Sequence, residues 1–343
     1  MAKSTSVLLI YTGGTIGMIQ DLKSGQLRPF DFEHLTDQIP ELKKFDTRLS
    51  AISFEHPIDS SDMTPEIWAK MALLIEKNYS KYDGFVILHG SDTMAFTASA
   101  LSFMLENLDK PVILTGSQLP IGIIRTDGKE NLITAIEIAA ARHKNKAVVR
   151  EVCIYFEYRL YRGNRTHKFN AEHFQAFQSP NYPILAEAGV HLRYNTPALL
   201  HPPAGKKLKV HLKMDPRIAI LKLFPGITKD FVDAVLNTKG LKGVILETFG
   251  AGNCSTAPWF LETLKKASRK GIVMINISQC NAGSVEQGKY ETSAGLNKIG
   301  VLSGEDMTTE AAVAKLMFVL ANTKEKKAIE KQLKNSLRGE MTV

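Results

Sequence analysis

Four short stretches of the chain concentrate hydroxyl groups beside an acid or an amine. They are Tyr11-Thr12-Gly13-Gly14-Thr15-Ile16-Gly17, Asp59-Ser60-Ser61-Asp62-Met63, His89-Gly90-Ser91-Asp92-Thr93 and Asn164-Arg165-Thr166-His167-Lys168. A serine or threonine hydroxyl is a weak nucleophile and needs a base or a proton relay. A lysine desolvated among hydroxyls loses its proton more readily, and a carboxylate orients it. Thr15, Ser91, Asp92 and Lys168 therefore hold the groups that acyl transfer through a hydroxyl requires. Each also has a plainer explanation. Gly13 and Gly14 make a turn with positive φ. Ser91-Asp92 caps a helix that starts near Met94. Lys168 is a surface lysine.

Residues 11–17 also invite a phosphate-binding reading. A P-loop needs four residues between its first glycine and a Gly-Lys pair, and that spacing is absent. The dinucleotide fingerprint needs G-x-G-x-x-G, whereas the glycines here fall at 13, 14 and 17. The spacing argues against a phosphate cradle and is compatible with a turn that presents Thr15.

These residues need a scaffold. Apolar runs at Val7–Tyr11, Phe85–His89, Val112–Thr115, Val152–Phe156, Ile218–Leu223, Val244–Thr248 and Ile272–Ile277 predict buried parallel strands. A short, partly apolar stretch, Ala51–Phe54, joins them. Helical periodicity follows Thr64-Pro65-Glu66, an expected N-cap, first-turn proline and first-turn acid. It recurs over Met94–Leu108, Asn131–Arg142, Lys229–Leu236, Pro258–Ser268 and Thr309–Leu320. Strand–helix alternation predicts an α/β fold with a mostly parallel sheet. Ligands of such sheets bind beyond the carboxyl ends of the strands, where the hydroxyl-rich stretches fall. Alternation weakens after Phe156, and a proline- and lysine-containing segment interrupts it. The expected organisation is a larger N-terminal α/β domain over 1–194, a linker over 195–214 and a smaller C-terminal parallel-sheet α/β domain over 215–343.

Composition narrows the class. The chain has 343 residues and a net charge of +8. Its basic residues are scattered, with a local excess at Lys324–Lys334 that reads as a solvated helix face, so no nucleic-acid partner is expected. Cys153, Cys254 and Cys280 are far apart and without metal-ligand spacing, which suits reduced thiols. Cys280 is expected as a buried thiol, with a place in a regulatory pocket as the alternative. No run approaches the ~20 apolar residues of a membrane span. The start of the chain lacks the ~7–15-residue apolar core of a secretory signal. A cytoplasmic protein with no membrane partner is expected.

The segments "YTGGTIG", "DSSDMTP", "ILHGSDTM" and "NRTHK" together closely resemble the bacterial-type L-asparaginases. "TGSQLP", "RLYRGNRT" and "LRGE" resemble the cytosolic type I branch, and the similarity runs from about residue 6 to 340. The resemblance implies hydrolysis of L-asparagine to L-aspartate and ammonia through an acyl-threonine ester, with no metal or organic cofactor. It places the nucleophile on Thr15, the second hydroxyl on Ser91, its acidic neighbour on Asp92 and the relay lysine on Lys168. Ser60 would bind the substrate α-carboxylate, and Ser61 with Asp92 would meet the α-amino group. It also implies a homodimer or homotetramer with sites near subunit interfaces. Sibling activities are glutaminase and a tRNA-dependent amidotransferase-type amidase subunit. An amino-acid sensor on the same fold would lack the nucleophile or the relay, and this chain carries both.

Three departures stand out. Ser91 occupies a position where the family usually has threonine, so the hydroxyl remains and the methyl is lost. The loop Gln20–Phe30 has no tyrosine where many members carry one, with Gln26 or Leu27 nearest in register. Tyr290, delivered from a neighbouring subunit, is the candidate to assist Thr15 instead. Where secreted members place a glutamate that contacts the substrate amine from a partner subunit, this chain has Ser284, with Glu286 two residues on. Asn253 is the candidate for that contact. His89 is expected as a strand-end residue, and Asp127-Gly128 as a turn or helix entry.

Overall fold

The structure is a computed structural model and describes residues 4–20, 27–29, 39–288 and 291–342. The chain divides into two compact units, Met1–Leu212 and Lys213–Val343. Most of the stretch expected as a linker groups with the first unit. There Lys209–Val210 pairs with Leu105–Glu106, and the His211 amide donates to Met104 O at 2.9 Å.

Among the described residues, the first unit builds one eight-stranded sheet. Five strands are parallel: β1 (Thr5–Tyr11), β2 (Thr47–Ser53), β3 (Gly84–Leu88), β4 (Val112–Thr115) and β5 (Val152–Phe156). Their spatial order is β2-β1-β3-β4-β5. Helices α1 (Pro65–Asn78), α2 (Met94–Met104) and α3 (Gly128–Ala140) make the crossovers. Val7, Leu8, Leu9 and Ile10 are at most 1% exposed, which is why the central strand reads as a continuous apolar run. The edge strand β2 instead alternates between half-buried and exposed residues, so only its end is visible in sequence.

Beyond β5 the sheet turns antiparallel through β6 (Arg159–Arg162), β7 (Ala186–Ala188) and β8 (Leu192–Tyr194). Glu157 and Tyr158, at φ 46° and 66°, make the tight turn that starts this return. Helix α2 stops at Met104, short of the expected Leu108, because residues 105–106 pair as a strand and Asn107 turns left-handed at φ 60°. In α1, Pro65 and Glu66 occupy the first turn as expected, but the Thr64 side chain makes no cap hydrogen bond.

The second unit is a four-stranded parallel sheet, β9 (Ile218–Lys222), β10 (Gly243–Thr248), β11 (Val273–Ser278) and β12 (Leu302–Ser303), in that order. Helices α4 (Lys229–Leu236), α5 (Pro258–Arg269), α6 (Glu291–Lys298), α7 (Thr309–Asn322) and α8 (Lys326–Lys334) accompany it. Val232, Leu246, Phe260 and Leu264 lie in its core. Among the described residues, no helix is long and apolar enough to cross a membrane.

In the first unit the chain leaves β1 toward β2 on one side and returns to β3 on the other. The strand order therefore reverses between β1 and β3. A crevice at such a reversal, beyond the carboxyl ends of the strands, is where open α/β sheets bind ligands.

Candidate active site

The carboxyl ends of β1 and β3 are tied together. Thr12 donates through its amide and its hydroxyl to Leu88 O, at 3.0 and 2.9 Å. The Ile58 amide donates to Thr12 O at 2.8 Å, bringing in the segment after β2. Gly14 then turns left-handed at φ 88°, and a Cβ there would lie 2.4 Å from Gly90 N. Only glycine lets these two backbones meet at that conformation. Thr15 opens a single 3-10 turn, closed by the Gly17 amide on Gly14 O at 3.2 Å. Ile16 is fully buried and anchors the turn, while Thr15 is half-buried. Tyr11 braces it from below, its hydroxyl donating to Gly17 O at 3.2 Å. Burial pushes that phenol up to about 12, so it remains a neutral donor.

Ser60 is 3% exposed and sits directly over Gly90, where a Cβ would lie 2.6 Å from Ser60 Oγ. Thr93 fixes its backbone by donating from Oγ1 to Ser60 O at 2.6 Å. Ser61 is exposed and donates to the Asp59 carboxylate from its amide, 2.9 Å, and its hydroxyl, 2.6 Å. Those two bonds hold Asp59 below the usual carboxylate range.

Ser91 and Asp92 precede α2 but do not cap it; the N-cap position belongs to Thr93, which makes no side-chain cap bond. They face Lys168 instead. Lys168 Nζ donates to Ser91 Oγ at 2.8 Å and to Asp92 Oδ1 at 2.6 Å. Its side chain is 15% exposed, whereas that of Asp92 is 65% exposed. Lys168 is therefore not a free surface lysine. It arrives on the segment returning from β6, pinned by the buried Asn164 and Thr166 and by pairing of Lys168 with Phe177. Phe177 is buried against Phe156, with ring centroids 5.0 Å apart.

Several supporting residues have contacts that the sequence does not show. Ser91 Oγ also reaches Gln118 Oε1 at 3.3 Å. The Gln118 amide donates to both oxygens of Asp127, at 3.1 and 2.9 Å, and Leu119 N donates to the same carboxylate at 3.1 Å. Burial raises Asp127 and outweighs those bonds. His89 follows β3, fully buried, with Nδ1 2.6 Å from Gly90 O and Nε2 2.9 Å from Thr97 Oγ1. The carbonyl only accepts, so Nδ1 carries the proton and Nε2 accepts from Thr97, which accepts in turn from Trp68 Nε1 at 3.0 Å. Burial pushes this imidazole down to about 4. No spacing rule joins Trp68, Thr97 and His89, so only the packed fold reveals the chain of bonds.

In the second unit, Asn253 closes a small bridge with Phe249 past the end of β10. Nearby, the buried Asn276 accepts from Thr248 Oγ1 at 2.7 Å and donates to Gly252 O at 3.2 Å. Ser284 and Glu286 are exposed. Cys280 is exposed, contrary to the buried thiol expected, while Cys153 and Cys254 are buried. Cys280 lies two residues beyond the end of β11, in an open bend. Tyr290 and Gln26 lie outside the described residues. Leu27 pairs with Gln20 in a short strand.

A two-unit α/β chain with its hydroxyls, lysine and carboxylate gathered at the sheet's reversal point has clear relatives. The family model Asparaginase, N-terminal matches residues 6–200, and Glutaminase/Asparaginase C-terminal domain matches 217–333. The chain belongs to the asparaginase family. It is 45% identical over 342 residues to L-asparaginase 1 of Escherichia coli K12, covering 98% of each chain. It superimposes on L-asparaginase I of Vibrio cholerae with a TM-score of 0.90 and 41% identity, covering 99% of this chain and 100% of that one. It is also 33% identical to one of the subunits of the glutamyl-tRNA(Gln) amidotransferase of Pyrococcus abyssi, over 98% of this chain and 76% of that protein.

Proposed function

We propose that this protein is an L-asparaginase that hydrolyses L-asparagine to L-aspartate and ammonia through an ester on Thr15. The observation that carries this reading is the Lys168 amine bridging Ser91 and Asp92 at the loop whose Gly90 packs against the Thr15 turn. Thr15 Oγ attacks the carboxamide carbon, its proton passes to Ser91 Oγ, and the Ser91 proton passes to Lys168 Nζ. Backbone N–H groups around Ser91 receive the charge that develops on the carbonyl oxygen. Collapse breaks the C–N bond, the nitrogen takes a proton and leaves as ammonia, and the aspartyl ester remains on Thr15. Water then cleaves the ester and restores the hydroxyl.

A free amino acid needs donors for its carboxylate and acceptors for its ammonium. Ser60 supplies a donor at the former. Ser61 commits its proton to Asp59, so its oxygen is an acceptor for the ammonium beside Asp92. No cofactor, nucleic acid or membrane enters this scheme. We place the protein in the cytoplasm as a homodimer or homotetramer, with Asn253 and Tyr290 reaching the site of a neighbouring subunit. We assign catalysis to the N-terminal domain, 1–194, and a separate C-terminal domain to 215–343, with 195–214 between them grouping mostly with the first unit.

Ammonia release from L-asparagine by the wild type, and its loss in Thr15→Ala, tests the reading; no release by the wild type overturns it. The similarity to an amidotransferase component supports a second reading, as a glutaminase or the amidase of such a system. One methylene separates the two substrates, a discrimination worth ~1–3 kcal/mol in a pocket. A higher kcat/KM for L-glutamine, or ammonia release only when a mischarged tRNA is present, would favour it.

A further inference from the structure

Ser91 makes a bond that the relay does not require. Gln118 Nε2 donates to Ala171 O and His173 O, both at 3.2 Å. Two carbonyls accept and cannot donate, so the amide nitrogen must face them. That orientation turns Oε1 toward Ser91, 3.3 Å away. An amide oxygen carries no proton, so in this bond the Ser91 hydroxyl is the donor. The Gln118 backbone is held from behind by Asp127, which also receives Asn131 Nδ2 at 3.3 Å.

A hydroxyl has one proton and two lone pairs. The Ser91 proton points at Gln118, and one lone pair accepts from Lys168 Nζ at 2.8 Å. One lone pair is left to accept a proton from a neighbouring hydroxyl. Serine has no β-methyl, so three staggered χ1 wells are open to it and local sterics do not choose among them. The choice falls to the hydrogen bonds.

We propose that Gln118 is a positioning residue that accepts the Ser91 hydroxyl proton in the resting site and so fixes the Ser91 rotamer, from which the hydroxyl turns its own proton to Lys168 Nζ as its oxygen takes the proton of a neighbouring hydroxyl. This rests on the reading of Ser91 and Lys168 as that relay. Gln118 touches neither substrate nor reacting atom in this role.

The test is kcat and KM for asparagine hydrolysis in wild type, Gln118→Met, Ser91→Thr and the double variant. Methionine is close to isosteric and removes the acceptor. If the three χ1 wells fill evenly, the competent fraction falls to about a third, so Gln118→Met lowers kcat by about 3- to 10-fold with KM nearly unchanged. Added to Ser91→Thr, whose γ-methyl restrains χ1, the same change costs about 3-fold less. Gln118→Asn, which withdraws the amide by one methylene, shows the same coupling. Equal losses with and without Ser91→Thr overturn the proposal, as does a loss confined to KM. A crystal structure of Gln118→Met with Ser91 in one unchanged rotamer overturns it regardless of turnover. Ser91→Ala is measured alongside. Full turnover in it removes the relay reading and Gln118 with it, whereas its inactivity without coupling removes Gln118 alone.

Discussion

Complete burial, only partly opposed by the bond to Gly90 O, gives His89 a pKa of about 4, against 6.5 for an unperturbed side chain. The unfolded chain therefore binds a proton that the folded chain refuses between those values. The stability gained is complete above the unfolded value and is lost as pH falls toward the folded one. At pH 5 the wild type should have lost roughly 2 kcal/mol relative to pH 7 from this group. His89→Gln should lack that part of the slope; parallel urea midpoints for the two proteins across this range would refute the assignment. Lys168 predicts the opposite pattern, function without stability. Asp92 is 65% exposed and stays hydrated when its partner is removed. Lys168→Met should cost about 100- to 10,000-fold in kcat, but less than ~1 kcal/mol in urea stability. At this scale the sequence shows which groups exist: a threonine after two glycines, a serine beside an acid, a lysine after Arg-Thr-His. Gln118 and Thr97 stay hidden in it, because their relevance lies in which atom each side chain faces.

The turn between β1 and the Thr15 helix depends on two separate features of Gly14, its φ of 88° and the Gly90 backbone against it. Gly205 separates them. It has φ 76° and open space, with nothing within 4 Å of where a Cβ would sit, so Gly205→Ala should cost only the left-handed penalty, ~1–2 kcal/mol. Gly14→Ala adds a collision with backbone that has no room to move, and should cost more and depress kcat. Equal melting shifts and unchanged turnover in the two variants would show that the close approach does not matter. The strands that carry the site are legible as elements, because burial on both faces removes polar residues from them. Val112–Thr115 and Val152–Phe156 match their expected limits. The return through β6, β7 and β8 is not legible. These strands have three or four residues each of mixed polarity, too few for a period to show.

In the second unit, a buried ion pair helps to close the chain on itself. Lys315 on α7 and Glu340 in the Leu337-Arg338-Gly339-Glu340 stretch are both 0% exposed, with Nζ 2.7 Å from Oε1. Lys315 Nζ also donates to Leu333 O and Asn335 O at 3.0 and 2.8 Å, and Glu340 accepts from the Leu337 and Arg338 amides. The pair thus fastens the end of α8 and the tail to α7. Lys315→Met leaves a buried carboxylate without its cation and should cost ~3–5 kcal/mol in urea unfolding. Adding Glu340→Gln, which keeps an oxygen for the amides but removes the charge, should restore part of that loss. No recovery would mean that the charge is not what makes Lys315 necessary.

The sequence by itself determined the class of fold, the family and the identity of the chemical groups. Apolar runs, glycine spacing and hydroxyl-rich strand ends are local properties, written within a few residues of one another. Tertiary structure alone decided that Lys168, 76 residues from Asp92, reaches it, and that the Ser91-Asp92 pair serves an amine rather than a helix cap. It also decided that Gln118 turns its oxygen to Ser91. Hydrogen bonds have direction and reach only about 3 Å. Which distant groups fall within that reach is set by strand order and packing.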